Sequence, residues 1–238
     1  MKKIKGIIFD KDGTLLDFNK TWGSWIIEFL GEIFKKYPSL NKRLLPEVAY
    51  LLGYDLINKA FYPDSIVISD TPEAGISKII SILPECTFSD LLVLSDNISE
   101  NTKGFEVFAL NQIMSELKAM DISLAVATND SEQVAVQHLK DCRIDSFFKF
   151  IIGYNSGYGS KPNPGMCLAL CSKFKVSPSE VLMVGDSVHD MEAGKSAGMN
   201  TVGVLTGFAD KDTLSPLADV ILPDISFLPE WITVNSIT

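Results

Sequence analysis

The chain has 238 residues, 46% of them hydrophobic and 21% charged, which is the composition of a folded globular protein rather than a disordered one. Its net charge of −9 argues against nucleic acid or an anionic membrane as a partner, because both call for a basic surface. The apolar run behind Met1-Lys2-Lys3 is too short for a signal peptide, and no stretch is long enough to span a bilayer. Cys86, Cys142, Cys167 and Cys171 lack zinc-ligand spacing and read as reduced thiols, so the expected location is the cytoplasm.

The first predicted strand covers Ile4 to Phe9, a β-branched and aromatic run. It ends in Asp10-Lys11-Asp12-Gly13-Thr14. Side chains alternate along a strand, so Asp10 and Asp12 are expected on one side and Lys11 on the other, away from any site. Two neighbouring carboxylates repel and call for a metal, a proton or a cation. A hard cation such as Mg²⁺ takes oxygen ligands of this kind. A polar turn after a core strand is the plainer account of the same residues.

The period then changes. Trp22, Trp25, Ile26, Phe29, Leu30, Ile33, Phe34 and Tyr37 recur at helical spacing, and Pro38 closes that helix. Further helical patterns cover Leu44 to Leu52, Glu73 to Leu83 with Pro72 at the first position, and Phe88 to Ile98. Residues 17–102 therefore read as a mostly helical insert, with Lys103-Gly104 leading back. Beyond it, helices are predicted at Glu106–Met120, after Asn129-Asp130-Ser131 up to Lys140, at Pro164–Phe174 and at His189–Ala197. Strands are predicted at Ser123–Thr128, Phe147–Ile152, Val181–Val184, Thr201–Leu205 and Asp219–Leu222. Strands alternating with helices at this spacing imply βαβ units on a parallel sheet. The expected fold is α/β: a Rossmann-like parallel core formed by 1–16 and 103–238, with an inserted α-helical domain at 17–102.

Ligands of open parallel sheets bind outside the carboxyl ends of strands. Polar groups accumulate there in this chain: Asp10 and Asp12 after the first strand, Thr128 and Asn129 after Leu124–Ala127, Lys161 beyond a Gly- and Ser-rich loop, and Asp186 and Asp190 after Val181–Val184. Individually, Thr128-Asn129 reads as a helix cap, Lys161 as a solvated lysine, and Asp186 and Asp190 as turn and cap acids. Jointly, such accidents at the ends of strands in one sheet are a poor explanation.

The ordered set Asp10-x-Asp12-Gly13-Thr14, Thr128-Asn129, Lys161-Pro162 and Gly185-Asp186-x-x-x-Asp190 resembles the haloacid dehalogenase superfamily of phosphohydrolases. The insert resembles the cap of its helical-cap subgroup. Asp17-Phe18-Asn19-Lys20-Thr21-Trp22, the run from Gly153 to Pro162, and Thr201 to Gly207 are similar to bacterial phosphatases of the phosphoglycolate type. The resemblance implies that Asp10 is a nucleophile and that Asp12 is a general acid and base. It implies Mg²⁺ on Asp10, on the backbone carbonyl of Asp12 and on Asp186, with Asp190 behind them. Gly13, Thr128, Asn129 and Lys161 are implied as phosphate contacts. The acid at Asp12 favours a phosphatase or phosphomutase over a dehalogenase. Lys11 departs from the hydrophobic residue common at its position and is expected to be neutral to the chemistry.

A small phosphate ester is the expected substrate, with 2-phosphoglycolate leading. A sugar phosphomutase and a non-enzymatic phosphoacceptor module are the other two readings. No role is expected for His138, and His189 reads as an exposed residue at a helix start. Lys20, Arg43 and Lys59 are candidates for meeting a second anionic group. No oligomeric state is assigned.

Overall fold

A computed structural model describes residues 2–235; the remaining positions of the expected core, 1 and 236–238, lie outside them. Strand β1 (Gly6–Phe9) is buried along its whole length. The chain next forms helix α1 (Phe18–Lys36), helix α2 (Leu45–Leu51) and a hairpin of β2 (Tyr54–Asp55) and β3 (Ala60–Phe61). Helices α3 (Ile66–Ser69), α4 (Pro72–Ile82) and α5 (Phe88–Asn101) complete the insert. Then follow α6 (Leu110–Ala119), β4 (Ser123–Ala127), α7 (Glu132–Asp141), β5 (Phe148–Ile152) and α8 (Gly165–Phe174). The last elements are β6 (Val181–Gly185), α9 (Val188–Ser196), β7 (Asn200–Val204), α10 (Lys211–Leu214), β8 (Val220–Leu222) and α11 (Leu228–Asn235).

The elements divide into two compact units, Met1–Asp17 with Gly104–Thr238, and Phe18–Lys103. In the first, six parallel strands lie in the order β5-β4-β1-β6-β7-β8. The order reverses at β1: β4 and β5 extend to one side, and β6 to β8 to the other. That reversal opens a crevice at the carboxyl end of β1. Phe9 pairs with both Val126 and Val184, so the three central strands end nearly level.

Alternation along the strands sends side chains to two cores. Ile7, Phe9, Leu124, Val126, Leu182 and Val184 pack with Leu110, Met114 and Leu117 of α6 and Leu228 and Ile232 of α11. Ile8, Ala125, Ala127 and Met183 face the opposite way, against Met166, Cys167, Leu170 and Cys171 of α8. All four cysteines are free, and burial pushes the Cys167 thiol up to about 12. The observed architecture is the expected α/β one.

Two local expectations are corrected. The helix predicted from Glu106 starts at Leu110. Glu106 instead bridges to Leu16 in antiparallel fashion, and its carboxylate accepts the Leu110 N–H at 3.1 Å. The acid thus satisfies one of the orphan donors of the helix start that it was expected to continue. The insert, expected to be mostly helical, also contains the β2–β3 hairpin. Asp55 Oδ1 accepts from the N–H groups of Ile57 at 2.8 Å and Asn58 at 3.0 Å, an Asx turn that outcompetes helix continuation. Within the insert, Ile26, Phe29, Leu30, Ile33 and Phe34 of α1 are buried, and Trp25 stacks on Phe29 with centroids 5.0 Å apart. Lys20, Arg43 and Lys59 are exposed.

Candidate active site

The crevice collects its side chains from four strand ends. Asp10 directly follows β1, and its N–H donates to Val184 O at 2.8 Å, continuing the sheet by one residue. Thr128 continues β4, its N–H on Ile152 O at 3.0 Å. Asp186 directly follows β6, and Asp190 lies in the first turn of α9. Lys161 arrives on the long connection between β5 and α8.

Lys161 Nζ lies 2.5 Å from Asp10 Oδ1 and 2.6 Å from Asp190 Oδ1. The backbone of Lys161 is held by Asn129, whose Oδ1 accepts the Lys161 N–H at 2.8 Å and whose Nδ2 donates to the Lys161 carbonyl at 2.9 Å. The Asn129 side chain is thus spent on the loop; its backbone N–H is the group left for the expected contact. Asp190 is fully buried and shared: Oδ1 faces Lys161, while Oδ2 accepts from Ser187 Oγ at 2.7 Å and Ser187 N–H at 3.1 Å. This capping box fixes the start of α9 and the position of Lys161 with one carboxylate.

Asp186 is walled in by backbone. Thr14 Oγ1 donates to its Oδ1 at 3.2 Å. Gly13 has φ +79°, and a Cβ there would stand 2.5 Å from Asp186 Oδ2. A Cβ on Gly207 would overlap the same carboxylate. Thr206 Oγ1 donates to the Gly13 carbonyl at 2.6 Å, tying the loop after β7 to the first motif. Gly13, expected as a phosphate contact, donates its N–H to Leu16 O at 2.7 Å instead. Its contribution is the space that a side chain would take from Asp186.

One oxygen each of the buried Asp10, Asp186 and Asp190 lies within 4.8 Å of the others. Three carboxylates here face one ammonium. Burial first, then Asp190 and Asp12, push Asp10 up to about 7 in spite of Lys161. Burial, Asp10 and Asp190 push Asp186 well above the ordinary carboxylate range. Against burial, which would lower it, Asp10 and Asp190 hold Lys161 above its ordinary value. The cluster has surplus negative charge, all of it on hard oxygen donors. A divalent oxygen-seeking cation fits such a donor set.

Asp12 does not join this cluster through its carboxylate. Its Oδ2 lies 2.6 Å from Lys11 Nζ. Lys11 is completely buried and also reaches Asp130 Oδ2 at 3.2 Å and His138 Nδ1 at 3.1 Å. This corrects the expectation that Lys11 points away, and it brings His138, expected away from the strand ends, against Lys11. Alternation fails because β1 ends at Phe9 and residues 11–16 form a turn, with the Leu15 and Leu16 N–H groups both on the Lys11 carbonyl. Against burial, Asp12 and Asp130 hold the Lys11 ammonium above its ordinary value. Burial pushes Asp130 up to about 6 despite Lys11. His189, at the start of α9, is half-buried rather than exposed.

The sequence profile of the haloacid dehalogenase-like hydrolases matches residues 7–204, a span that takes in Asp10, Asp12, Thr128, Lys161, Asp186 and Asp190. The chain belongs to the haloacid dehalogenase-like hydrolases. Among curated relatives of this hydrolase, pyrophosphatase PpaX of Bacillus anthracis is 27% identical over 229 residues, 95% of each chain. Among solved structures, a protein described as a predicted phosphoglycolate phosphatase from Haemophilus somnus superposes with a TM-score of 0.72 at 22% identity, covering 97% of this chain and 99% of that one. β-Phosphoglucomutase from Clostridium difficile gives 0.67 at 16%, covering 97% and 98%. Both structural likenesses are likenesses of fold.

Lys11, Asp130, His138, Ser187 and Gly207 of this hydrolase were not singled out as functional from sequence. Asp130 carries a signal of its own, a third polar residue directly after Thr128-Asn129. Lys11 carries another, a cation set between the two acids of the first motif.

Proposed function

We propose that the protein is a Mg²⁺-dependent phosphatase that hydrolyses a small phosphate monoester, 2-phosphoglycolate first among them, through an aspartyl phosphate on Asp10. The observation that carries this reading is the buried meeting of Asp10, Asp186 and Asp190 with a single lysine at the switch point of the sheet. Asp10 is the carboxylate that can be both nucleophile and metal ligand, because it ends β1 where the crevice opens. Asp10, Asp186 and the Asp12 carbonyl, with Asp190 behind, would hold Mg²⁺, which would supply the positive charge that lets a carboxylate meet a phosphate dianion.

The steps follow from the groups present. An Asp10 oxygen bonds to phosphorus as the ester P–O bond breaks, and Asp12 gives its proton to the leaving oxygen. Water then bonds to phosphorus while Asp12 takes its proton, the Asp10–phosphorus bond breaks, and inorganic phosphate leaves. Lys161, the Thr128 hydroxyl and the Asn129 N–H stabilise charge on the equatorial oxygens. Thr128 Oγ1 already accepts the Asp130 N–H at 3.1 Å, which leaves its hydrogen for an acceptor in the crevice. Residues 1–16 and 103–238 carry this chemistry, and 17–102 is read as the cap that selects the substrate. Free thiols suit a cytoplasmic setting.

Inorganic pyrophosphate is a second reading, favoured by the similarity to PpaX along 95% of the chain. The same residues serve it, with phosphate as the leaving group. Phosphate release from 2-phosphoglycolate, pyrophosphate, sugar phosphates and nucleotides, each with Mg²⁺ and with chelator, separates the two. Metal-dependent release led by phosphoglycolate supports the first, and release led by pyrophosphate the second. Asp10→Asn should lower turnover by roughly 10⁴-fold or more while the thermal melt persists, the scale of losing a nucleophile. Full activity in that variant would sink the mechanism.

A further inference from the structure

We propose that Lys11 is a positioning residue for Asp12, and that Asp130 and His138 are the frame that holds Lys11 in place. The inference rests on the reading of Asp12 as the acid and base of the reaction.

Lysine is almost never fully buried unless its charge is paired, and the Lys11 side chain is 0% exposed. An ammonium carries three N–H donors. Three acceptors surround this one: Asp12 Oδ2, Asp130 Oδ2 and His138 Nδ1, at 2.6, 3.2 and 3.1 Å. They come from three segments, namely the turn after β1, the connection from β4 to α7, and α7 itself. Contacts from three directions fix Nζ in a way that a single ion pair does not. With Lys11 donating, Nδ1 is the unprotonated nitrogen of His138.

The frame is itself braced. The Gly104 backbone lies so close to α7 that a Cβ there would stand 2.9 Å from His138 Cβ. Asp130 Oδ1 accepts the Ser131 N–H at 2.7 Å, and the Asp130 N–H reaches Thr128 Oγ1. Asp12 is tethered to Lys11 through Oδ2. A leucine or methionine at position 11 would fill the same space and take the ammonium contact away from Asp12 Oδ2. Misplacing a proton donor by about 1 Å costs on the order of 100-fold.

Two substrates test this. The alkoxide leaving from an alkyl phosphate needs a proton, whereas p-nitrophenolate leaves without one. Hydrolysis of the aspartyl phosphate needs a base in both cases. Lys11→Met should therefore lower kcat for the alkyl phosphate by roughly 100-fold, within the range of general acid–base catalysis, with KM changed less than about threefold. With p-nitrophenyl phosphate it should release about one equivalent of nitrophenolate in a rapid burst, then turn over slowly. Asp12→Asn is the control and should show the same pattern more strongly.

Equal losses on both substrates without a burst, or unchanged kinetics, would overturn the role of Lys11. A burst in Asp12→Asn but not in Lys11→Met would remove Lys11 and keep Asp12. No selective loss in Asp12→Asn would remove the reading of Asp12 and this inference with it. If Lys11→Met does not fold, Lys11→Met/Asp130→Asn removes the buried charges together, and the same pattern is expected of it.

Discussion

Two buried lysines serve one motif, and they are surrounded differently. Lys161 meets Asp10 and Asp190, with Asp186 beside them, so three carboxylates share one ammonium. Lys11 meets two carboxylates and an imidazole nitrogen. The first cluster is left short of positive charge, and its acids are pushed towards neutrality; Asp10 rises to about 7. The second comes nearer to satisfying itself. On the proposed mechanism the difference separates a place that would receive a cation and a phosphate from a place that stays fixed. Asp10, proposed to gain and lose a bond to phosphorus, belongs to the first. Asp12, proposed to give and take a proton, belongs to the second.

The comparison breaks most sharply at Lys161. Lys161→Met leaves Asp10 and Asp190 buried without their shared cation. Removing one partner of a buried ion pair costs about 3–5 kcal/mol. Turnover should fall by about 10³-fold or more, because the same ammonium is assigned to the transition-state oxygens. Thermal melts and phosphate release measure the two effects. A stable Lys161→Met protein with high activity would mean that the Lys161 cluster is not the charged centre of the site.

The charge deficit also makes stability depend on pH and metal. A carboxyl whose folded pKa is raised stabilises fully below its unfolded value near 3.8 and loses that contribution as pH rises towards the folded value. For metal-free protein, Asp10 at about 7 and Asp130 at about 6 place the loss between roughly pH 4 and 7. The raised Asp186 acts with the same sign. Mg²⁺ binds the ionised forms and should restore the loss. The melting temperature of metal-free protein should therefore fall by roughly 5–10 °C between pH 5 and 7.5, a few kcal/mol at this chain length. Added Mg²⁺ should raise it more at pH 7.5 than at pH 5. A Mg²⁺ effect larger at pH 5 would contradict the assignment of the cluster.

The Lys161 cluster was legible in the sequence and the Lys11 frame was not, for a physical reason. Asp10, Asp186 and Asp190 stand at or just past strand ends, and strand ends can be read from runs such as Gly6–Phe9 and Val181–Gly185. A parallel sheet brings its carboxyl ends to one edge whatever the distance in sequence, so the fold rule alone gathers them. The Lys11 contacts depend on where a side chain goes after its strand has stopped. Alternation gave the wrong direction at residue 11, and His138, 127 positions away, sits on a helix whose rotation no spacing rule fixes. Gly13 shows the same limit. A glycine permits its left-handed turn, but the sequence does not tell whether its N–H serves a ligand or Leu16.

The smallest expected effect concerns His138, and it sharpens the contrast between the two lysines. Lys161 is held by carboxylates, so losing either one changes the charge of the cluster. Losing His138 changes none: His138→Leu removes one neutral acceptor and leaves the Asp12 and Asp130 carboxylates on Lys11. A buried N–H left without its partner costs about 1–3 kcal/mol, and that is the destabilisation expected. The catalytic cost should stay within about tenfold, because Asp12 keeps its tether and a positioning error well below 1 Å is at stake. It should appear in kcat for alkyl phosphates and not in KM. His138→Gln, which keeps an acceptor on the same face of α7, should recover most of both losses. If His138→Leu proves as damaging as Lys11→Met, the imidazole is not one strut among three. Lys11 would then be held chiefly through α7 and not through its carboxylates.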